Sequence, residues 1–376
     1  MTYDNSTEIN PLFTGVPVDL LADLPTDLPK VSVIMPTYNA GRFIEKAVHS
    51  VLAQTYTNFE LIIVDDASSD NTEAIVRQFN DPRILYYKAE RIGHPAGVRN
   101  TGLRLSSGEL IAFLDSDDLY YPETLAKLTR PLLKNPDLIS AYGFAFSMDE
   151  AENPLPQTVN LIPNPYADRS AGEPPYVLPP NYNHTWQSII TSRISCLLPG
   201  LVLRRSAWEQ IGFFNETLCG PEDFEFYVRM FLHNYHGVYC LSDYVYQYRV
   251  HAASLTKAPE HYQKLLISCL KIMDWLFNEA PIPPQVRAYE SRAYIDCYRY
   301  LGRERLLHHQ PEICRQILSL AIQDRHVRFI DHLKYSFPLL VRSYLPASLD
   351  GFLVKLRWQV RQLKHFRNHN VQAHAR

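Results

Sequence analysis

Long hydrophobic runs are missing from this chain of 376 residues. No uninterrupted apolar stretch reaches the roughly 18 residues that a membrane-spanning helix needs, so we expect no such helix. The first ten residues are polar and acidic, unlike a secretory signal peptide. These absences predict a protein that is soluble or attached to a membrane only at its surface.

Paired cysteines and a strong excess of one charge are also missing. The cysteines form no CxxC pair and no metal-site spacing, so we expect reduced thiols in a cytoplasmic protein. A formal net charge of -3 gives no reason to expect nucleic-acid binding. The six cysteines are Cys196, Cys219, Cys240, Cys269, Cys297 and Cys314.

What the chain does contain is an alternation of apolar strands and amphipathic helices. Apolar residues make up 46% of the chain, enough for two domains or for one large domain with an appendage. The alternation predicts right-handed βαβ crossovers, and therefore an α/β, Rossmann-like fold whose mainly parallel sheet is flanked by helices. Predicted strands span 31–35, 59–64, 83–88 and 110–114, and predicted helices span 42–54, 70–79, 96–105 and 122–133.

Polar side chains follow three of these strands at the point where each strand ends. Asp115, Asp117 and Asp118 follow the fourth strand, and close carboxylates repel one another unless a cation holds them. Mg²⁺ and Mn²⁺ prefer such oxygen ligands. An Asp-rich turn that caps the next helix is the alternative, and Asp118 is expected to act as that cap. Asp65 and Asp66, together with the segment 37–39, follow two other strands, which predicts one shared crevice at the carboxyl edge of the sheet.

Five motifs in this region resemble the nucleotide-sugar-binding half of family 2 glycosyltransferases with a GT-A-type fold. The resemblance covers residues 31–125 and returns after residue 198. It implies an inverting transfer of a sugar from a nucleotide-sugar donor, with UDP favoured over GDP or dTDP. The motifs are VIMPTYN (33–39), SVLAQT (50–55), ELIIVDD (60–66), RNTG (99–102) and FLDSDD (113–118).

The resemblance also implies roles for single residues on the donor side. Tyr38 is expected to pack against the uracil ring, and Asp66 is expected to accept the imide hydrogen of the base. Solvated acids at a helix entrance are the alternative for Asp65 and Asp66, and a surface ion pair is the alternative for Arg91. The donor-binding residues expected from the resemblance are Pro36, Thr37, Tyr38, Asn39, Asp66, Arg91, Arg99, Asn100, Asp115 and Ser116.

The metal and the catalytic base follow from the same resemblance. Asp117 is the expected ligand of Mn²⁺ or Mg²⁺, with Asp115 and His251 beside it, although a lone histidine is more often structural. Asp223 is the expected general base, with Glu222 in support. The alternative for this pair is that both acids only cap a helix, since acids are favoured at a helix N-terminus.

The rest of the chain predicts the acceptor side and an appendage. We divide the chain into an N-terminal extension (1–30), a GT-A-type domain (31–257) and a helical region (258–376). Within the domain, 31–125 is assigned to the donor and 126–257 to the acceptor and catalysis, with a Pro-rich loop at 153–180 over the acceptor side. Further strands are expected near 137–146, 199–205 and 244–248, and further helices near 261–278, 285–300, 311–323, 326–345 (broken near Pro338) and 350–366.

The last helices are basic and amphipathic. This pattern is typical of a segment that lies on an anionic membrane surface, which would place the protein at the inner face of the cell membrane. A solvated helix packed on the catalytic domain and a dimer contact are the alternatives.

Together these features predict an inverting glycosyltransferase for polysaccharide, glycolipid or cell-envelope glycan synthesis. The acceptor is expected to be a hydroxyl group of a glycan, a lipid-linked molecule or a small molecule. A non-catalytic protein that binds nucleotide sugars or glycans on this fold is the alternative. A nucleotidyltransferase is disfavoured because the segment 37–41 lacks the Gly-rich, basic phosphate loop that such an enzyme needs.

Overall fold

The computed structural model describes residues 27–155, 198–218, 220–251, 262–307, 310–331, 333 and 336–344. Most of the N-terminal extension, most of the Pro-rich loop and the expected helix at 350–366 lie outside these described residues.

One mixed sheet of eight strands, in the order β3-β2-β1-β4-β7-β6-β8-β5, forms the centre of the protein. Strands β1 to β4 run parallel to one another, as the βαβ alternation predicts. Beyond β4 the pairings β4–β7, β6–β7 and β5–β8 are antiparallel, whereas β6–β8 is parallel. The strands are β1 (Val31–Thr37), β2 (Phe59–Asp65), β3 (Ile84–Lys88), β4 (Leu110–Phe113), β5 (Leu119–Tyr120), β6 (Ser140–Met148), β7 (Leu201–Arg204) and β8 (Val238–Arg249).

Helices cover both faces of the sheet, so the predicted α/β class is confirmed. In the first half they are α1 (Ile44–Leu52), α2 (Thr72–Val76), α3 (Pro95–Leu105) and α4 (Thr124–Lys134). After the Pro-rich loop come α5 (Arg205–Ile211) and α6 (Glu222–His233). The C-terminal region adds α7 (Tyr262–Asn278), α8 (Glu290–Leu307), α9 (Pro311–Gln323), α10 (Phe329–Asp331) and α11 (Phe337–Ser343).

Alternating side chains of the central strands build a core on each face of the sheet. In β1, Val33 and Met35 join one hydrophobic cluster whereas Ile34 joins the other, because successive strand residues point to opposite faces. The cluster that contains Ile34 also contains Phe226 of α6, Met273 of α7 and Tyr294 of α8. The first C-terminal helices therefore share a core with the sheet.

The C-terminal helices differ from the sequence prediction at one place. Residues Pro284–Tyr289, expected at the start of a helix, form a 3-10 turn before α8. The break expected near Pro338 is present, because α10 ends at Asp331 and α11 begins at Phe337, with Pro338 in its first turn, where a missing N–H group costs nothing. Within the described ranges, no helix is both long enough and apolar enough to cross a bilayer.

Candidate active site

The ends of β1, β2 and β4 lie side by side at the carboxyl edge of the parallel half-sheet. Thr37 at the end of β1 pairs with Asp65 at the end of β2. The amide of Leu114, just after β4, donates to the carbonyl of Ile34 in β1 at 3.0 Å. Since parallel neighbours end at the same edge, the residues that follow all three strands gather there.

The turn after β1 is joined to the loop after β2. Pro36 and Thr37 are the last residues of β1, and Tyr38 is about half exposed. Asn39 has a positive φ of 48°, a conformation that asparagine tolerates better than most residues. Its side-chain oxygen accepts a hydrogen bond from the amide of Ser69 at 2.9 Å. This bond fixes one loop against the other.

Asp66, Arg91 and Tyr38 form a compact polar group at this edge. Asp66 is buried, and its carboxylate accepts hydrogen bonds from the amides of Ile92 at 2.5 Å and Gly93 at 3.0 Å. The same carboxylate forms an ion pair with Arg91. The guanidinium carbon of Arg91 lies 3.6 Å from the centre of the Tyr38 ring. Asp66 is therefore not a solvated acid, and the ion pair considered for Arg91 is present.

Arg99 of α3 is a buried cation that joins the two halves of the site. Its Nη2 lies 2.9 Å from Oδ1 of Asp115, just after β4. Its Nη1 lies 2.8 Å from Oε1 of Glu222, the first residue of α6. Burial by itself would lower the pKa of Arg99, but the two carboxylates raise it above its ordinary value. Arg99 therefore holds acids from segments 107 residues apart in the sequence at one point.

Asp223 lies beside this ion-pair group at the start of α6. Burial, together with the neighbouring charge of Glu222, raises the pKa of Asp223 to about 7. The positive charge of Arg99 acts in the opposite direction, whereas the charge of Asp115 raises this pKa further. Asp223 thus lies within electrostatic reach of the acids after β4. A carboxylate with a pKa near neutrality is suited to taking up a proton.

Asp117 meets His251, which lies two residues beyond the end of β8. Oδ2 of Asp117 is 2.8 Å from Nε2 of His251, and the histidine is largely buried. Ser116, also buried, lies between Asp115 and Asp117. The strand-end acids of the first half of the chain therefore meet a residue that follows the last strand.

The expectation that Asp118 caps the next helix is wrong. Oδ1 of Asp118 accepts the amide of Arg249 at 2.8 Å, while α4 begins at Thr124 without a side-chain cap. Burial and the charges of Asp117 and Asp115 raise the pKa of Asp118 well above its ordinary value. Asp118 faces inward because β8, rather than α4, supplies its partner.

Arg249 is a residue of this site that sequence reasoning missed. It is about 1% exposed, and its Nε donates to the carbonyl of Asp117 at 2.8 Å. Its guanidinium also bonds the carbonyl of Glu150 and the carboxylate of Glu152, both at 3.1 Å. The only signal in the sequence is an arginine at the end of an apolar strand, and that pattern does not reveal burial.

Asn100 and Asp65 are held by protein partners. The amide oxygen of Asn100 accepts from the amide of Phe214 at 2.9 Å, and its nitrogen donates to the carbonyl of Phe214 and to Glu216. Asp65 is fully buried, and it accepts from the Tyr86 hydroxyl at 2.5 Å and from the amide of Ser68 at 2.8 Å. The expected contact between Asn100 and a donor stays a prediction.

Asp117 and His251 are the side chains best suited to a divalent ion. A carboxylate and an imidazole 2.8 Å apart are both ligands that Mn²⁺ accepts. Oδ2 of Asp118, the residue after Asp117, is buried and has no hydrogen-bond partner among the described residues. Among the residues that the structure describes, no three His, Cys, Asp or Glu side chains are grouped so as to hold a metal ion by themselves.

Comparison with known proteins shows which family part of the chain is similar to. Residues 32–194 match the model of glycosyl transferase family 2. A curated relative from Escherichia coli, UDP-Glc:alpha-D-GlcNAc-diphosphoundecaprenol beta-1,3-glucosyltransferase WfgD, is 49% identical over 105 residues. That match covers 28% of this chain and 42% of the relative, so the likeness spans less than half of the relative's length.

Two solved structures share the fold. S. aureus TarS 1-349 in complex with UDP-GlcNAc is 22% identical with a TM-score of 0.59, covering 84% of this chain and 89% of that one. Mannosyltransferase PcManGT from Pyrobaculum calidifontis, in complex with GDP-Man and Mn²⁺, is 17% identical with a TM-score of 0.52. Here the coverage is 94% of this chain and 89% of the other. Residues 32–194 are therefore similar to glycosyl transferase family 2, within a fold that these two structures share.

Proposed function

We propose that this protein moves a sugar from a UDP-linked donor to an acceptor hydroxyl, with inversion at the anomeric carbon and with a divalent ion. The proposal covers a hexosyl or N-acetylhexosaminyl group and a role in polysaccharide, glycolipid or cell-envelope glycan synthesis. A glycan, a small molecule or a lipid-linked molecule can supply such a hydroxyl. The lipid-linked class is favoured by the name of the Escherichia coli relative. In this account residues 31–257 are the catalytic unit and 258–376 the appended helical region.

The observation that carries the proposal is the bridge made by Arg99. It joins Asp115, at the edge where the parallel strands end, to Glu222, next to Asp223. A donor bound at the strand ends would thus lie close to the carboxylate of Asp223, which can act on an acceptor. A structure with Asp117 and Asp223 on opposite sides of the molecule would have contradicted this assignment.

On the donor side, the proposal assigns the uracil base to Tyr38 and Asp66. Aromatic rings stack well on bases, and Tyr38 is about half exposed at the edge of the sheet. Arg91, stacked on the same ring, adds a positive charge that complements a diphosphate. Pro36, Thr37, Asn39 and Ser116 complete the proposed donor contacts.

A Mn²⁺ or Mg²⁺ ion fits beside Asp117 and His251, with Asp115 nearby. Mg²⁺ in such sites is held by one or two protein ligands together with substrate phosphates and water, and two protein ligands are offered here. When bound, the ion offsets negative charge on the departing nucleoside diphosphate. The structure with GDP-Man and Mn²⁺ supports the choice of ion by analogy of fold alone.

On the acceptor side, Asp223 is the proposed base. Its carboxylate takes the proton of the acceptor hydroxyl while that oxygen attacks the anomeric carbon from the face opposite the diphosphate. Glu222 supports Asp223 through its charge, and Arg99 keeps Glu222 in place. A single displacement of this kind inverts the anomeric carbon and needs no covalent sugar–enzyme intermediate.

Arg99 and Asn100 act in this proposal as positioning residues. Arg99 sets the distance between Asp115 and Glu222, and Asn100 holds the turn around Phe214 against α3. The resemblance implied donor contacts for both residues. Their protein partners support a role through the residues that they hold.

The test is to incubate the protein with a panel of UDP-, GDP- and dTDP-sugars in the presence of either Mn²⁺ or EDTA. The release of the nucleoside diphosphate is measured. We expect metal-dependent release of UDP from at least one UDP-sugar, faster when the right acceptor is present. The alternative, a protein that only binds nucleotide sugars, would be stabilised by a donor against heat yet release no UDP.

A further inference from the structure

The last described helices expose their large apolar side chains. Phe329 and Tyr344 are 74% and 70% exposed. The set that we name the outer apolar face consists of Phe329, Ile330, Leu333, Phe337, Val341 and Tyr344. These residues follow one another three or four positions apart from Ile330 onward, the spacing of one face of a helix.

The inner side of the same segment is mostly small or polar. Asp331, Ser336 and Ser343 are buried there together with Leu339. Asp331 accepts a hydrogen bond from Ser291 of α8 at 2.6 Å, and the carbonyl of Ser343 accepts one from Arg315 of α9 at 2.7 Å. Leu339 packs against Cys314 and Leu318 of α9. These contacts fix the helices with their apolar side outward, the reverse of an ordinary surface helix.

Basic residues accompany this face in the sequence, and two of them are described as exposed. Arg325 is exposed, and Arg328 is exposed while paired with the buried Asp331. From residue 325 to residue 367 the sequence has nine basic residues against two acids, Asp331 and Asp350. The nine are Arg325, Arg328, Lys334, Arg342, Lys355, Arg357, Arg361, Lys364 and Arg367.

We propose that the outer apolar face docks on the surface of an anionic lipid bilayer. Apolar side chains flanked by basic ones match the boundary between acyl chains and negatively charged headgroups. This inference rests on the proposed function in one respect: docking would bring the active site to a lipid-linked acceptor. It names the residues that make the contact, whereas the basic character of the C-terminal sequence names none.

The test is flotation of the full chain with vesicles of phosphatidylcholine alone, or of phosphatidylcholine mixed with phosphatidylglycerol. We expect binding to the mixed vesicles, weakening as salt rises, and little binding to phosphatidylcholine alone. The double variant Phe329→Ser/Phe337→Ser should bind the mixed vesicles at least roughly tenfold more weakly, since two exposed rings no longer enter the interface. Leu85→Ser, which removes an exposed apolar side chain of β3, is the matched control and should bind as the wild type does.

Three results would overturn this proposal. One is equal vesicle binding by the double variant and the wild type, which would assign the contact to the remaining basic sequence. Another is no binding of the wild type to mixed vesicles. The third is a dimer in sedimentation velocity that the double variant dissociates, which would assign the face to a second copy of the chain. Vesicle binding needs neither donor nor acceptor, so it can be measured independently of transfer. Unchanged UDP binding by the double variant would show that its active site is intact. Failure of the docking proposal is therefore distinct from failure of the proposed function.

Discussion

At the scale of single residues, the site contains carboxylates that lie close together, and the repulsion between their charges costs free energy of folding. Asp223 is the clearest case, because burial and the charge of Glu222 raise its pKa to about 7. The group therefore exchanges its proton in the range where a base for neutral chemistry should do so. This makes the pH profile of the reaction a direct probe of Asp223.

We expect the rate of transfer to rise with pH through about 7, because the proposed base, Asp223, has to lose its proton before it can accept one. The measurement is kcat/KM across the range from about 5 to 9. Stability supplies an independent readout. A raised pKa in the folded state means that the wild type loses stability as pH rises from about 4 to 7, whereas Asp223→Asn does not. The variant should thus gain stability relative to the wild type over that interval, and a constant difference would contradict the assignment.

Arg99 gives a second prediction at this scale. Arg99→Met leaves Glu222 and Asp115 without their cation, and breaking a buried ion pair on one side typically costs about 3–5 kcal/mol in the free energy of unfolding. Urea denaturation measures this cost. Arg77→Met is the control, because Arg77 forms an exposed pair with Glu73 and such pairs contribute little to stability. Equal losses in the two variants would mean that Arg99 does not hold the site together.

At the scale of elements, the position of α3 decides where Arg99 lies. Gly102 faces β1 so closely that a Cβ atom there would lie 2.4 Å from Cγ2 of Ile34. The helix therefore approaches the sheet at a distance that only glycine permits. Four positions beyond Arg99 along the next turn, Leu103 also packs into the core beneath the sheet.

Gly102→Ala should push α3 away from β1 and lower the free energy of unfolding by about 1–3 kcal/mol. Gly302→Ala in α8 is the matched control, because a Cβ there meets its nearest neighbour at 3.4 Å, an ordinary contact. Alanine has the higher helix propensity, so the control should be neutral or stabilising by up to about 1 kcal/mol. Thermal or urea unfolding of the two variants decides the matter, and a tolerated alanine at 102 would count against the close approach.

The helices and strands also show which structural features can be predicted from the sequence and which cannot. The strands around Val33, Ile62 and Ile111 follow from apolar runs, and the helix over Pro311–Gln323 begins and ends where its periodicity predicts. Local patterns are enough there. The contacts of Asp118 with Arg249 and of Arg99 with Glu222 could not be predicted, because β8 and α6 lie more than a hundred residues away in the chain. No spacing within one segment encodes such a contact.

At the scale of the whole molecule, the two halves of the chain meet along the antiparallel pair β4–β7. The first half supplies Asp115 and Asp117, and the second half supplies Asp223 and His251. Helices α7 and α8 share the hydrophobic cluster of α6, so the C-terminal region supports the element that carries Asp223. The central claim is thus that acids from distant segments form one centre, with separate duties for donor and acceptor.

Calorimetric titration of UDP with and without Mn²⁺, combined with a transfer assay, tests this claim most directly in the wild type, Asp117→Asn and Asp223→Asn. We predict that Mn²⁺ tightens UDP binding by roughly tenfold or more in the wild type and in Asp223→Asn, but not in Asp117→Asn. Asp223→Asn should bind UDP normally and transfer no sugar. Loss of UDP binding in Asp223→Asn, or an undiminished effect of Mn²⁺ in Asp117→Asn, would contradict the account.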